Sequence, residues 1–221
     1  MKESKTNLKL TSVESVKVSA KENVVDILFD GGIAGKLTFL EENIFRYDVD
    51  PKGVFAPYAT PRDEAHTAKI QQHPDESDAY TKPSARVLWQ EDKFIVLCGG
   101  TSITWGKETA KMSVCIHGRI VLEEAEPLQI AEGEMIQILE KEPGENFYGG
   151  GTQNGRFVHT GKKIQIVNES AWMDGGVASP NPFYYTTNGY GVLYNTFSDG
   201  TYDFGEENQE LVKVVHKESK L

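Results

Sequence analysis

Three features of the sequence predict an all-β protein built as an antiparallel β-sandwich. Its apolar and β-branched residues come in short runs. Nearly every run is bounded by Gly, Pro, Asp or Asn. No stretch sustains the three-and-four spacing of an amphipathic helix. Many short strands joined by turns must bury one face against a second sheet, and antiparallel sandwiches or barrels do this.

Taken in order, "VESVKVSA" is the first strand, with Val13, Val16 and Val18 among its apolar positions. "NVVDILFDGG" is a strand that ends in Asp30-Gly31-Gly32, a hairpin signal. "AGKLTFLEENIFRYDVDP" holds a return strand, a turn at Glu41-Glu42-Asn43, and a further strand stopped by Pro51. "ARVLWQED", "FIVLCGG", "SITWGK" and "KMSVCIHGRIVLEEAEPLQI" continue the series. "AEGEMIQILEKEPGE" is the best helix candidate, yet Ile136 and Ile138 alternate, so a strand is expected there. Residues 51–84 break the rhythm with Pro, Ala, His and acidic residues. They read either as a surface excursion between strands or as a rim loop that meets a partner domain.

The chain has 221 residues, and 38% of them are hydrophobic, enough for a core. Its net charge of −10, with no visible Lys/Arg stripe, argues against nucleic-acid partners and anionic membrane surfaces. "MKESKTNLKL" lacks the apolar core of a signal peptide, and no run reaches membrane-spanning length. Cys98 and Cys115 both lie in apolar segments and are expected as reduced core residues of a cytoplasmic protein. The five histidines are scattered, so neither a metal nor a cofactor is expected.

Gly149-Gly150-Gly151 raises the question of a phosphate cradle. Such a loop must open a helix, whose N-terminus then faces the phosphate. Here the turns Asn154-Gly155 and Thr160-Gly161 follow, and then a strand "KKIQIVN". The glycines therefore read as a backbone bend or a close approach of chains.

Next comes a polar loop from Asn168 to Pro182, which carries Trp172 and Asp174. An aromatic hairpin follows: Phe183, Tyr184 and Tyr185, the turn Asn188-Gly189, and "YGVLYNT". Aromatic faces beside Asn and Asp suit sugars, whose C–H faces pack on rings while hydroxyls bond amides and carboxylates. Core packing is the other reading of the same rings, and it places Tyr148 and Phe183 inside.

The ordered set Tyr148, Gly149, Gly151, then Pro182, Phe183, Tyr184, then Gly189, Tyr190, Gly191, Val192, Leu193 and Asn195 resembles a segment of glycoside hydrolase family 31 enzymes. The tight match covers about residues 146–205, and "GRIVLEEAEPL" resembles the strand before it. The resemblance implies a galactose mutarotase-like sandwich over 1–221 that precedes a (β/α)8 catalytic barrel. In such enzymes the barrel supplies an aspartate nucleophile and an aspartate acid/base in a retaining mechanism, which needs carboxyls about 5–5.5 Å apart. This chain shows no βαβα pattern, so the catalytic pair is expected outside it. The implied partners are that barrel and an α-linked oligosaccharide.

The family's loop between the two motifs reaches over the barrel mouth. By position, the resemblance makes Asp174 the candidate sugar contact and Trp172 its companion. The other reading of Asp174 is a turn starter before Gly175-Gly176. The parent activity implied is that of an α-glucosidase, an α-glucosyltransferase or an α-N-acetylgalactosaminidase. The main alternative is a free-standing carbohydrate-binding module. An aldose epimerase would need a catalytic Glu with His partners on one concave face, for which no setting is visible.

Overall fold

The computed structural model describes residues 7–55, 79–169 and 172–221. Most of the 51–84 excursion, residues 56–78, lies outside them. Among the described residues all regular structure is β-strand apart from one 3-10 turn, Asp30–Gly32. The expected all-β, antiparallel sandwich is what forms. The candidate helix is a strand: Glu134–Glu140 alternates half-buried and buried. The chain divides into two compact units, Leu10–Ile120 with Lys220–Leu221, and Met1–Lys9 with Val121–Ser219.

The unit built on Leu10–Ile120 holds two four-stranded meanders. The first is β2 (Val13–Val18), β3 (Val24–Phe29), β4 (Ala34–Glu41) and β5 (Ile44–Asp50), paired in that order. The second is β6 (Arg86–Trp89), β7 (Lys93–Cys98), β8 (Thr101–Gly106) and β9 (Met112–Ile116). Alternation decides the faces. Val25, Ile27 and Phe29 of β3 are buried, as are Val96 and Cys98 of β7, and Ile103 and Trp105 of β8. In β2 the apolar spacing of three between Val13 and Val16 breaks the period of two. A bulge between Val13 and Ser15 absorbs the extra residue, so both valines are buried. Cys98 is buried and Cys115 half-buried, and both thiols are free.

In the other unit, one sheet runs β13 (Lys163–Ile166), β16 (Gly200–Asp203), β17 (Leu211–His216), β11 (Glu134–Glu140) and β10 (Arg119–Ala131), with β1 (Leu8–Lys9) also on β10. Pro127 falls where β10 shifts register against β11, a place that tolerates a missing N–H. The second sheet is β12 (Phe147–Gln153), β14 (Val177–Thr186) and β15 (Gly191–Leu193).

Their shared core is aromatic. Phe147 stacks on Phe204 with centroids 4.7 Å apart, and the buried Tyr184 meets Phe204 edge-on at 5.3 Å. One chain of buried polar groups runs through this core, while Tyr184 Oη has no hydrogen-bond partner among the described residues. Tyr194 Oη donates to Gln137 Oε1 (2.6 Å), Gln137 Nε2 donates to Glu124 (3.0 Å), and Tyr202 Oη lies 3.0 Å from His216 Nε2.

Candidate carbohydrate and domain-contact surface

The three-stranded sheet carries the candidate site, and its glycines explain its shape. Gly149, Gly150 and Gly151 all have positive φ, 113°, 70° and 76°. The ladder between β12 and β14 shifts register between Gly149 and Gly151. A side chain at Gly149 would run into the Phe183 carbonyl, and one at Gly151 into the Ser179 carbonyl. The run is thus a bulge with close backbone contact, as expected, and opens no helix.

The loop from Asn168 is shorter than the sequence suggests. Val177–Thr186 is already strand, so Pro180 and Pro182 lie inside β14. They are tolerated because β15 pairs only with Phe183–Tyr185, leaving that flank of the strand without a full ladder.

The outer face of the sheet corrects a second expectation. Neither Tyr148 nor Phe183 is in the core: Tyr148 is half-buried and Phe183 is 38% exposed. The inward positions are taken by Phe147 and Tyr184, so period two sends their neighbours outward. Tyr148 stacks on Tyr185 (5.2 Å, 19° between planes) and meets the edge of Phe157 (5.6 Å). Phe183 stacks on Tyr185 at 6.2 Å. Leu193 and Phe157 extend this surface and are largely exposed.

Trp172 and Asp174 lie on the link between β13 and β14. Trp172 is 80% exposed, so its ring is not part of the core. Asp174 is exposed too. Gly176 N–H donates to Met173 O at 2.9 Å, so Asp174 occupies a turn, which accounts for its two following glycines. The sequence does not reveal what this turn rests on. Asn154, at the tip after β12, bonds it through both main chain and side chain, and Arg156 lies over Gly175. The Asn154-Gly155 pair was visible only as a turn signal.

Elsewhere on this unit a groove of about 500 Å³ is lined by Lys141, Thr160, Glu206 and Glu210, among others. Its lining has no aromatic residue, so it offers no stacking surface for a sugar. No cluster of metal-ligating side chains occurs among the described residues.

The fold is that of an all-β domain of antiparallel sheets packed as a sandwich. Residues 35–203 match the family model described as the glycosyl hydrolase 31 N-terminal galactose mutarotase-like domain. The chain belongs to that family. A 65-residue stretch is 38% identical to an α-xylosidase of Emericella nidulans, covering 29% of this chain and 8% of that protein.

Among solved structures, a family 31 dextranase of Flavobacterium johnsoniae, complexed with glucose, superposes over 96% of this chain with a TM-score of 0.81 and 12% identity. The cycloalternan-forming enzyme of Listeria monocytogenes, in complex with a pentasaccharide substrate, superposes over 96% with a TM-score of 0.77 and 16% identity. The chain spans 26% and 20% of those two chains.

Proposed function

We propose that the chain serves as the non-catalytic N-terminal domain of a retaining α-glycoside hydrolase. It packs on the catalytic barrel and lends the Trp172–Asp174 turn to the sugar site. One observation carries this reading. Trp172 and Met173, 80% and 72% exposed, run directly into the exposed Asp174 on a turn bonded to Asn154, and Phe157, 76% exposed and three residues on from Asn154, meets Tyr148 on the aromatic sheet face. Large apolar side chains left open together on one surface mark a place that meets a partner. The charged turn suits a hydroxyl-rich ligand. The greater length of the similar enzymes supports the presence of such a partner.

The substrate class is an α-linked oligosaccharide. The dextranase and α-xylosidase relatives favour gluco- or xylo-configured pyranosides, within which the α-glucosidase or glucosyltransferase expectation sits. Two free thiols agree with a cytoplasmic enzyme.

Asp174→Ala tests the proposal. In the isolated chain it should change stability by no more than about 0.5 kcal/mol, as an exposed substitution does. In the full-length enzyme it should lower kcat/KM about ten-fold or more, the cost of a charged hydrogen bond to a sugar hydroxyl. The isolated chain should turn over no aryl α-glycoside. Turnover by it, or wild-type kinetics in the full-length variant, would refute the assignment. Binding of oligosaccharide by the isolated chain through Tyr148 and Tyr185 would favour the free-standing module instead.

A further inference from the structure

The turn that carries Asp174 does not stand alone. Asn154 N–H donates to Gly176 O (3.0 Å), and Gly175 N–H donates back to Asn154 O (3.1 Å). Asn154 Nδ2 donates to Met173 O (3.1 Å). One residue thus latches the whole Met173–Gly176 turn to the tip that follows β12.

The latch works because both tips are left-handed glycines, Gly155 at φ 71° and Gly175 at φ 77°. A β-carbon on Gly155 would stand 3.6 Å from Asp174 Oδ1. One on Gly175 would stand 3.3 Å from Arg156 Nη2. Arg156 therefore crosses the turn one residue from Asp174, steadied by Nη1 on Lys163 O at 3.4 Å. Both side chains belong to exposed residues. Among the described residues no ion pair joins them. A cation and an anion are thus carried on two latched turns and left open, with the exposed Phe157 next to Arg156 in the chain and the exposed Trp172 two residues before Asp174.

We infer that Arg156 is a second sugar-contacting residue, paired with Asp174 across the two turns and positioned, like it, by Asn154. This rests on the reading of Asp174 as a sugar contact. A guanidinium only donates and a carboxylate only accepts. A pair of neighbouring hydroxyls on a pyranoside does both and can bridge the two charges. A plain anion or a plain cation would be repelled by one of them. The ligand class is therefore an uncharged polyol ring.

The test uses the full-length enzyme with p-nitrophenyl α-D-glucopyranoside and α-D-xylopyranoside. Arg156→Ala should lower kcat/KM about ten-fold or more on the better substrate, and Arg156→Lys should restore part of the loss. Amide exchange in the 221-residue chain separates contact from scaffolding. Arg156→Ala should leave Gly175 and Gly176 exchange unchanged, whereas Asn154→Ala should accelerate it. A loss in Asp174→Ala with wild-type kinetics in Arg156→Ala would overturn the role of Arg156 and leave that of Asp174 standing. So would an Arg156→Ala loss accompanied by faster exchange, because the arginine would then act on the turn alone. Wild-type kinetics in Asp174→Ala would remove the reading on which both depend.

Discussion

Phe147 and Tyr148 are neighbours in one strand with opposite fates. Phe147 is fully buried against Phe204 and Tyr184, while Tyr148 lies half-buried on the outer face against Tyr185 and Phe157. Phe147→Ala should destabilise the chain by about 3–5 kcal/mol, the range for emptying a buried aromatic site. Tyr148→Ala should cost about 1 kcal/mol, because water already reaches its ring. Urea unfolding of both variants checks this, and equal losses would contradict the assignment of faces. The pair also shows what a sequence of this kind can tell. Alternation in "FYGGG" and "NPFYYTT" announces strands. It does not announce which phase points inward, because aromatic residues stand on both faces. Polar residues normally mark the outside of a strand, and here that mark is missing, so Tyr148 and Phe183 read as core.

At the scale of elements, β12 and β14 depend on the glycine bulge. Gly151 sits opposite Pro180 with φ 76°, and a methyl group there would meet the Ser179 carbonyl. Gly151→Ala should therefore destabilise by well over the ~1 kcal/mol of a tolerated glycine replacement, because strain and backbone displacement add. Gly161→Ala is the control: it has a similar φ of 70° but open space around it. A thermal midpoint for Gly151→Ala no lower than that of the control would show that the bulge relaxes freely. Most elements were legible, since turn residues punctuate them: Asp30-Gly31-Gly32, Glu42-Asn43, Asn154-Gly155, and Asn188-Gly189 all fall between strands. The start of β14 at Val177 was not legible, because its two prolines speak against a strand until the unpaired flank is known. The Asn154 latch was equally hidden. Its partners lie 19 or more residues away, and no local pattern encodes a bond over that distance.

The aromatic unit as a whole buries ionisable groups whose effects on stability oppose one another with pH. Burial pushes the His216 and His159 imidazoles below their ordinary value of 6.5. The unfolded chain then binds more protons than the folded one below that value. The stability they contribute is present above pH 6.5 and is lost as pH falls through it towards the lowered folded values. Glu145 behaves in the opposite sense. Burial raises its carboxyl above the ordinary 4.5, so its contribution is present below that value and is lost as pH rises through the folded one. At neutral pH this carboxylate is a cost, which Glu145→Gln removes with almost no change of shape. The variant should therefore melt higher than the wild type at about pH 7 and the same at about pH 4, where both side chains are neutral. With Glu145 gone, the two histidines dominate the remaining slope, so the variant's Tm should rise steadily from about pH 5 to 7. Calorimetry across that range decides the matter. A variant advantage that persists at about pH 4 would mean that the introduced amide stabilises by a new hydrogen bond and that the carboxyl charge has no part in it.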